Sequence, residues 1–130
     1  MKLPAVCENH LYVKAYTGGR HASSRTLTAY VLKDRKASLI RRARPDKRVV
    51  NRVGLTATKK IGGAVQRNRA KRLMREAYRA LDATTPLRRG FLIIIKAHET
   101  MLSAKAQDVT RDLAYVMRRL EMFSSEGQPK

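Results

Sequence analysis

The side chains best suited to chemistry in this sequence are the basic ones of segment 59–79. If the segment is a helix, a rotation of about 100° per residue places its cationic and apolar residues on opposite faces. The cationic side, here called the basic face, contains Asn68, Arg69, Lys71, Arg72, Arg75 and Arg79. The apolar side contains Ala70, Leu73, Met74, Ala77, Ala80 and Leu81. Because only Glu76 dilutes the positive charge, the pattern predicts a helix that docks on a sheet and presents a nucleic-acid-binding face.

Hydrolysis by protein side chains would need carboxylates that converge on metal ions, or a histidine acid–base pair. Asp108 and Asp112 are one helical turn apart, but the neighbouring Arg111 favours surface ion pairs. The three histidines lie in separate predicted elements and are expected at the surface; they are His10, His21 and His98. The single cysteine, Cys7, can supply neither an internal disulfide nor a metal cluster. The sequence therefore predicts no protein active site.

Two glycines, Gly62 and Gly63, precede the basic helix without forming the GxxxxGK[ST] nucleotide loop. Free backbone amides at a helix N-terminus attract phosphate. The pair could also serve only to turn the chain from strand to helix, and both roles are compatible with the sequence.

Tyrosines and hydroxyl groups form a second candidate site. Tyr12 and Tyr16 lie one turn apart in a predicted helix, and Tyr30 projects from a predicted strand on the face opposite its apolar residues. The matching face of the next strand carries Arg52, Thr56 and Thr58. Such a face could stack unpaired bases, or the tyrosines could close the edge of a core with their hydroxyls in water. Spacing alone does not separate these interpretations.

The charge of the chain is concentrated in its middle. Lys and Arg number 29 against 10 Asp and Glu, for a net charge of +19, and residues 35–72 hold fourteen basic residues against Asp46 alone. A single basic patch and an anionic partner follow from this distribution. The length predicts one domain over residues 1–122 with a frayed tail over 123–130. The lone cysteine, and the lack of a signal peptide or membrane span, predict a soluble cytoplasmic protein.

Hydrophobic periodicity predicts the order helix, two or three strands, helix, strand, helix, with elements at residues 8–17, 26–33, 49–58, 63–81, 91–97 and from Ser103 as N-cap onward. The basic connection 34–48 contains proline, and its middle, 37–40, could extend a strand. The unbroken apolar run 91–97 predicts a central strand buried on both faces. The last helix has an apolar stripe of Val109, Leu113, Val116, Met117 and Leu120. This order predicts an α+β domain with helices on one side of a small sheet.

These residues resemble a known family, the protein subunit of bacterial ribonuclease P. The segment AVQRNRAKRLMREAYR carries that family's arginine-rich helix around Arg67-Asn68-Arg69. The preceding RVGLTATKKIG is similar to its strand and Lys-Lys turn, with threonines in place of the usual serines. The family's aromatic and glycine spacing is matched, with tyrosine where phenylalanine is common, by Tyr12, Tyr16, Gly19, Arg25 and Tyr30. The resemblance spans residues 8–122, and the basic insert Arg41–Arg48 is longer than the family pattern.

The resemblance implies a ribosomal protein S5 domain 2-like fold, in the order α-β-β-β-α-β-α, with a left-handed βαβ crossover through the basic helix. It also implies an RNA-based enzyme that removes the 5′ leader from precursor tRNA, with its catalytic centre in the RNA subunit. The implied partners are that RNA subunit and precursor tRNA, with no membrane and no obligate protein partner. The holoenzyme would require Mg²⁺, and the protein itself would bind no cofactor.

Carried over residue by residue, the family's RNA-subunit contacts fall on Lys59, Lys60, Arg67, Asn68, Arg69, Lys71, Arg72 and Arg75. Its leader cleft, between the first helix and the sheet, falls on Tyr12, Tyr16, Arg25, Tyr30, Arg52, Thr56 and Thr58. A ribosomal or other structural RNA-binding protein would share the basic helix but would need no stacking cleft. A DNA-binding helix-turn-helix fits less well, because no second helix lies a short turn from the basic one. A protein-only nuclease fits least.

Overall fold

A computed structural model of the chain describes residues 9–43 and 51–123. Its elements, in chain order, are helix α1 (Asn9–Gly18), strands β1 (Arg20–Ser23) and β2 (Leu27–Lys33), helix α2 (Ala37–Ala43), strand β3 (Arg52–Thr56), helix α3 (Ala64–Thr84), strand β4 (Phe91–Ala97), a 3-10 helix (Glu99–Ser103) and helix α4 (Ala106–Arg119). Cys7, residues 44–48 of the basic insert and residues 124–130 of the predicted tail lie outside the described residues.

The four strands form one sheet in the order β1-β2-β4-β3. The central strand β4 pairs antiparallel with β2 and parallel with β3, and its residues 92–95 are buried, as the apolar run predicted. Since β3 and β4 are parallel neighbours, the chain between them must cross over the sheet, and α3 makes that crossover. The basic helix is therefore fixed to the sheet at both of its ends.

Alternation along β4 divides the core into two layers. Ile93 and Ile95 pack in the main cluster with α3 and α4, whereas Leu92 and Ile94 pack with Ala15 of α1 on the opposite face. The expectation that all helices lie on one side of the sheet is wrong for α1. The four-residue spacing of its small and aromatic side chains gives it an apolar side of its own to bury.

The two long helices follow their predicted faces closely. The stripe predicted for α4 is buried throughout, and five of the six apolar residues predicted for α3 are buried. Ala80 is exposed, and Tyr78 is buried in addition because its hydroxyl receives a 3.2 Å hydrogen bond from Asn51 Nδ2. Helix α3 also continues three residues beyond Leu81, to Thr84. Pattern therefore predicted which side of each helix docks.

Three local predictions are corrected by the structure. Residues 37–40 do not extend a strand but lie in helix α2. A strand that the sequence pattern did not predict, β1, precedes β2 and forms a hairpin with it. Ser103 does not cap α4: it ends the 3-10 helix and donates its hydroxyl to the Thr100 carbonyl. Helix α4 starts after Lys105, whose amide donates to the Asp108 carboxylate at 3.1 Å. A carboxylate in the first turn satisfies an amide there as a serine cap would.

The junction between α1 and the sheet is close enough to require a glycine. A Cβ atom on Gly19 would lie 2.6 Å from the Ala15 carbonyl oxygen and 2.8 Å from that of Val31. Both neighbours are backbone atoms, so neither could rotate aside. Gly19 thus sets the distance of α1 from β2, which determines the shape of the space between them.

Candidate nucleic-acid interface

The turn before α3 presents two lysines. The amides of Ile61 and Gly62 donate to the carbonyls of Thr58 and Lys59, so Ile61 turns into the core while Lys59 and Lys60 stay exposed. Gly62 has φ of 141°, a conformation that favours glycine, so turning the chain is one role of the glycine pair. Gly63, the N-cap, has no side chain to occupy the amides of the first turn. Phosphate attraction to those amides stays a prediction.

Some side chains of the basic face of α3 are exposed to solvent, and one is bonded to another element of the protein. Asn68, Arg72 and Arg75 are exposed along one side of the helix. Arg69 instead donates from Nη1 to the Leu102 carbonyl at 2.7 Å, which ties α3 to the 3-10 helix. An exposed row of cations with only Glu76 among them is an electrostatic footprint for a polyanion.

Arg67 and Lys71 are half-buried members of the same helix. In the described part of the chain, the Arg67 Nε is a buried side-chain nitrogen without a hydrogen-bond partner. A buried donor left without an acceptor costs stability. Arg67 therefore carries one donor that the described part of the chain does not satisfy.

The tyrosines predicted from spacing do come together. The rings of Tyr16 and Tyr30 meet edge to face with centroids 4.8 Å apart, and the Tyr16 hydroxyl lies 3.3 Å from the Thr56 Oγ1. Tyr12 lies over β3: a Cβ atom on Gly54 would be only 2.6 Å from its hydroxyl oxygen. We call this group, Tyr12, Tyr16, Tyr30 and Thr56, the tyrosine cleft. Tyr16 remains 39% exposed there, so one ring can still receive a ligand.

A polar row crosses all four strands beside the tyrosine cleft. The pairing register aligns Ser23, Thr28, Lys96 and Thr56. The Thr28 Oγ1 lies 2.8 Å from the Ser23 Oγ and 2.7 Å from the Nε2 of His98. Lys96, half-buried in the centre of this row, brings a positive charge to the cleft. Sequence reasoning missed it because it sits in an apolar run, although a lysine within a buried strand was a usable signal.

Two arginines predicted for the cleft have other partners. Arg52 makes two hydrogen bonds to the Asp34 carboxylate, at 2.8 and 3.0 Å, and both residues are buried. Burial would raise the pKa of Asp34, but the Arg52 guanidinium and the Lys36 amide hold it below the ordinary 3.8. Arg52 lies on the tyrosine face of the sheet by its register with Leu92, and there it is paired with Asp34.

Arg25 lies in the turn between β1 and β2, where its carbonyl accepts the Thr100 hydroxyl. The pKa of Asp108, at the start of α4, is lowered first by the Lys105 amide and further by the charges of Arg111 and Arg25. The turn that carries Arg25 lies against α4, where the Thr26 amide donates to the Asp112 carboxylate. Thr58 follows β3 and is half-buried, and its carbonyl accepts the Ile61 amide in the turn before α3. Leader contacts by Arg25, Arg52 and Thr58 stay predictions.

The acidic and histidine side chains have structural partners. The predicted ion pair is present for Asp108, which contacts Arg111, but Asp112 instead accepts hydrogen bonds from the Thr26 amide and hydroxyl. His21 is exposed as predicted, whereas His98 is half-buried; the side chain of His10 lies outside the described ones. Over 9–43 and 51–123, His, Cys, Asp and Glu form no group of three suited to a metal ion. No helix in those ranges is long and apolar enough to span a bilayer.

Comparison with known proteins gives a consistent result. The ribonuclease P family model matches residues 5–121. A ribonuclease P protein component from an Exiguobacterium species is 31% identical over 121 residues, which cover 93% of each chain. One from Dehalococcoides mccartyi is 33% identical over 89 residues, covering 68% of this chain and 71% of the relative.

Solved structures agree at the level of the fold. The RNase P protein of Staphylococcus aureus superposes with a TM-score of 0.72 at 20% identity, covering 95% of this chain and all of the other. That of Thermotoga maritima gives a TM-score of 0.66 at 17% identity, covering 85% and 92%.

Proposed function

This chain belongs to the ribonuclease P protein family, and we propose that it binds the enzyme's catalytic RNA through α3 and the 5′ leader of precursor tRNA through the tyrosine cleft. The observation that supports the proposal is that the basic face and the tyrosine cleft lie on different layers of the fold. Helix α3 packs on one face of the sheet, and the tyrosines lie with α1 on the other. One small domain can then contact two RNAs at once.

Helix α3 has the features of a phosphate-binding surface. Arg72 and Arg75 are exposed cations one turn apart, and Lys59 and Lys60 extend the charge beyond the helix start. Arg67 adds a donor without an internal partner. Structured RNA presents closely spaced phosphates, and a row of cations neutralises them with release of counterions. We assign this surface to the RNA subunit.

The tyrosine cleft suits a single strand, because unpaired bases stack on aromatic rings whatever their sequence. Tyr16 and Tyr30 supply the rings, and Lys96, two residues along β4 from the register partner of Tyr30, can bind a phosphate of the same strand. Mature tRNA has no such strand at its 5′ end. The cleft would therefore favour the substrate over the product.

We place hydrolysis, with its Mg²⁺, in the RNA subunit. The four described aspartates are all engaged: Asp34 with Arg52, Asp82 with Arg89, Asp108 with Arg111, and Asp112 with Thr26. Carboxylates held this way serve the fold, so the protein contributes binding and positioning. We expect it to act in the cytoplasm, with no membrane and no obligate protein partner.

Replacing Tyr16 with alanine should weaken holoenzyme binding to precursor tRNA by roughly five- to a hundredfold, because one stacked base contributes about 1–3 kcal/mol. Phenylalanine should be nearly neutral, since it keeps the ring and removes only the hydroxyl near Thr56. The measurement is the Kd of the reconstituted holoenzyme for precursors with long and with one-nucleotide leaders.

Tyr115→Ala provides a matched control, because Tyr115 is an exposed tyrosine on α4 at 48% exposure. Affinity for the RNA subunit should not change in either variant. Equal losses on long and one-nucleotide leaders would show that Tyr16 supports the fold, and the assignment of the cleft to the leader would be wrong. A ribosomal or other structural RNA-binding protein would show no dependence on leader length.

A further inference from the structure

The edge strand β1 adds a histidine ring to the tyrosine cleft. His21 is directly opposite Tyr30 in the β1–β2 register, and their ring centroids lie 5.5 Å apart at an interplanar angle of 31°. Tyr30 in turn meets Tyr16. Three rings contributed by α1, β2 and β1 are thus in contact in series, with His21 exposed at the outer end.

The residues flanking His21 hold its strand in place. The Arg20 guanidinium donates to the Leu120 carbonyl at 2.8 Å, and the Ser23 hydroxyl bonds that of Thr28. Ala22 packs against the main core from the opposite face of β1. Alternation therefore turns His21 toward the cleft, and its position does not depend on contacts of its own ring. Its imidazole is exposed and has no share in either core cluster.

We infer that His21 is a leader-binding residue whose imidazole stacks on a base of the single-stranded leader and extends the series formed by Tyr16 and Tyr30. Imidazole rings are among the side chains on which unpaired RNA bases stack. Among the described residues β1 is the edge strand of the sheet, so a single strand lying over Tyr16 and Tyr30 can continue across the exposed His21. The inference rests on the proposed function of the cleft.

A double-mutant cycle between protein and leader tests the contact. Holoenzymes with wild-type protein, His21→Ala and His21→Phe are compared on a precursor with a long leader and on precursors with one abasic nucleotide placed at each leader position in turn. His21→Ala should weaken binding to the intact leader by about five- to tenfold. His21→Phe should stay within about twofold of wild type. At one position the abasic leader should weaken wild type but add no further loss to His21→Ala.

Tyr16→Ala in the same series separates this inference from the proposed function. If Tyr16→Ala shows a leader-dependent loss of affinity and His21→Ala does not, the tyrosine cleft binds the leader and the role inferred for His21 is wrong. If neither variant shows a leader-dependent loss, both the proposed function of the cleft and the role of His21 are wrong. Equal losses for His21→Ala and His21→Phe would exclude stacking. A loss for His21→Ala that is also present with a one-nucleotide leader, or in affinity for the RNA subunit alone, would show a role in the fold and overturn the inference.

Discussion

Changing Arg72 and Arg75 to alanine together should weaken binding of the protein to its RNA subunit by roughly ten- to a hundredfold at moderate salt. Both guanidinium groups are exposed on α3. Arg69 is a poorer choice for this test, because it donates to the Leu102 carbonyl and its loss would also disturb packing.

The dependence of this affinity on salt concentration shows whether the two arginines contact phosphates. Each phosphate contact contributes a slope of about −0.9 to log affinity against log salt for B-DNA, so losing two should flatten the slope by about two units. The matched control is Arg118→Ala with Arg119→Ala, which removes the same charge from the exposed side of α4. An equal change in both double variants would mean that net charge matters and the α3 surface does not.

Replacing Asp34 with asparagine should lower the free energy of unfolding by about 3–5 kcal/mol, since the Arg52 charge stays desolvated but loses the attraction that the Asp34 carboxylate supplies. The Asp34 side chain is 1% exposed and that of Arg52 is 10% exposed. Domains of this size have total stabilities of only about 5–15 kcal/mol, so the change is a large share of the whole. Urea denaturation at neutral pH measures it.

The same pair should make stability depend on pH in a defined direction. Because the folded pKa of Asp34 lies below 3.8, its contribution is present above that value and is lost as the pH falls through the folded pKa. The difference between wild type and Asp34→Asn should therefore shrink in strong acid. Arg89→Gln, which breaks the more exposed pair with Asp82, should cost at most about 1 kcal/mol. A similar cost for both variants would contradict the structural role of the Asp34–Arg52 pair.

Long periodic segments were predictable because packing and pattern agree over many residues. The basic face and docking side of α3, the stripe of α4 and the burial of β4 all follow from residue types at fixed spacing. Strand β1 was missed because four residues, RHAS, give too little alternation to stand out. Helix α2 was missed because its arginines and small apolar residues fit more than one period.

Only the parts of the candidate site that follow from residue spacing within one element could be predicted. Helical spacing places Tyr12 and Tyr16 on one side of α1, alternation places Tyr30 on one face of β2, and the structure brings the three rings together. The partner of Arg52 could not be found this way, because Asp34 is 18 residues away and only the fold brings the two into contact. Lys96 and His21 join the cleft through strand register, which a single sequence does not determine.

Cleavage of precursor tRNA by reconstituted components tests whether this protein assists an RNA catalyst. The protein is freed of RNA, mixed with its cognate ribonuclease P RNA and assayed at low magnesium beside each component alone. We expect no cleavage by the protein, weak cleavage by the RNA, and strong cleavage at the 5′ end of the mature sequence by the mixture. Robust, chelator-sensitive cleavage by the RNA-free protein, or a mixture no more active than the RNA alone, would contradict the proposed function.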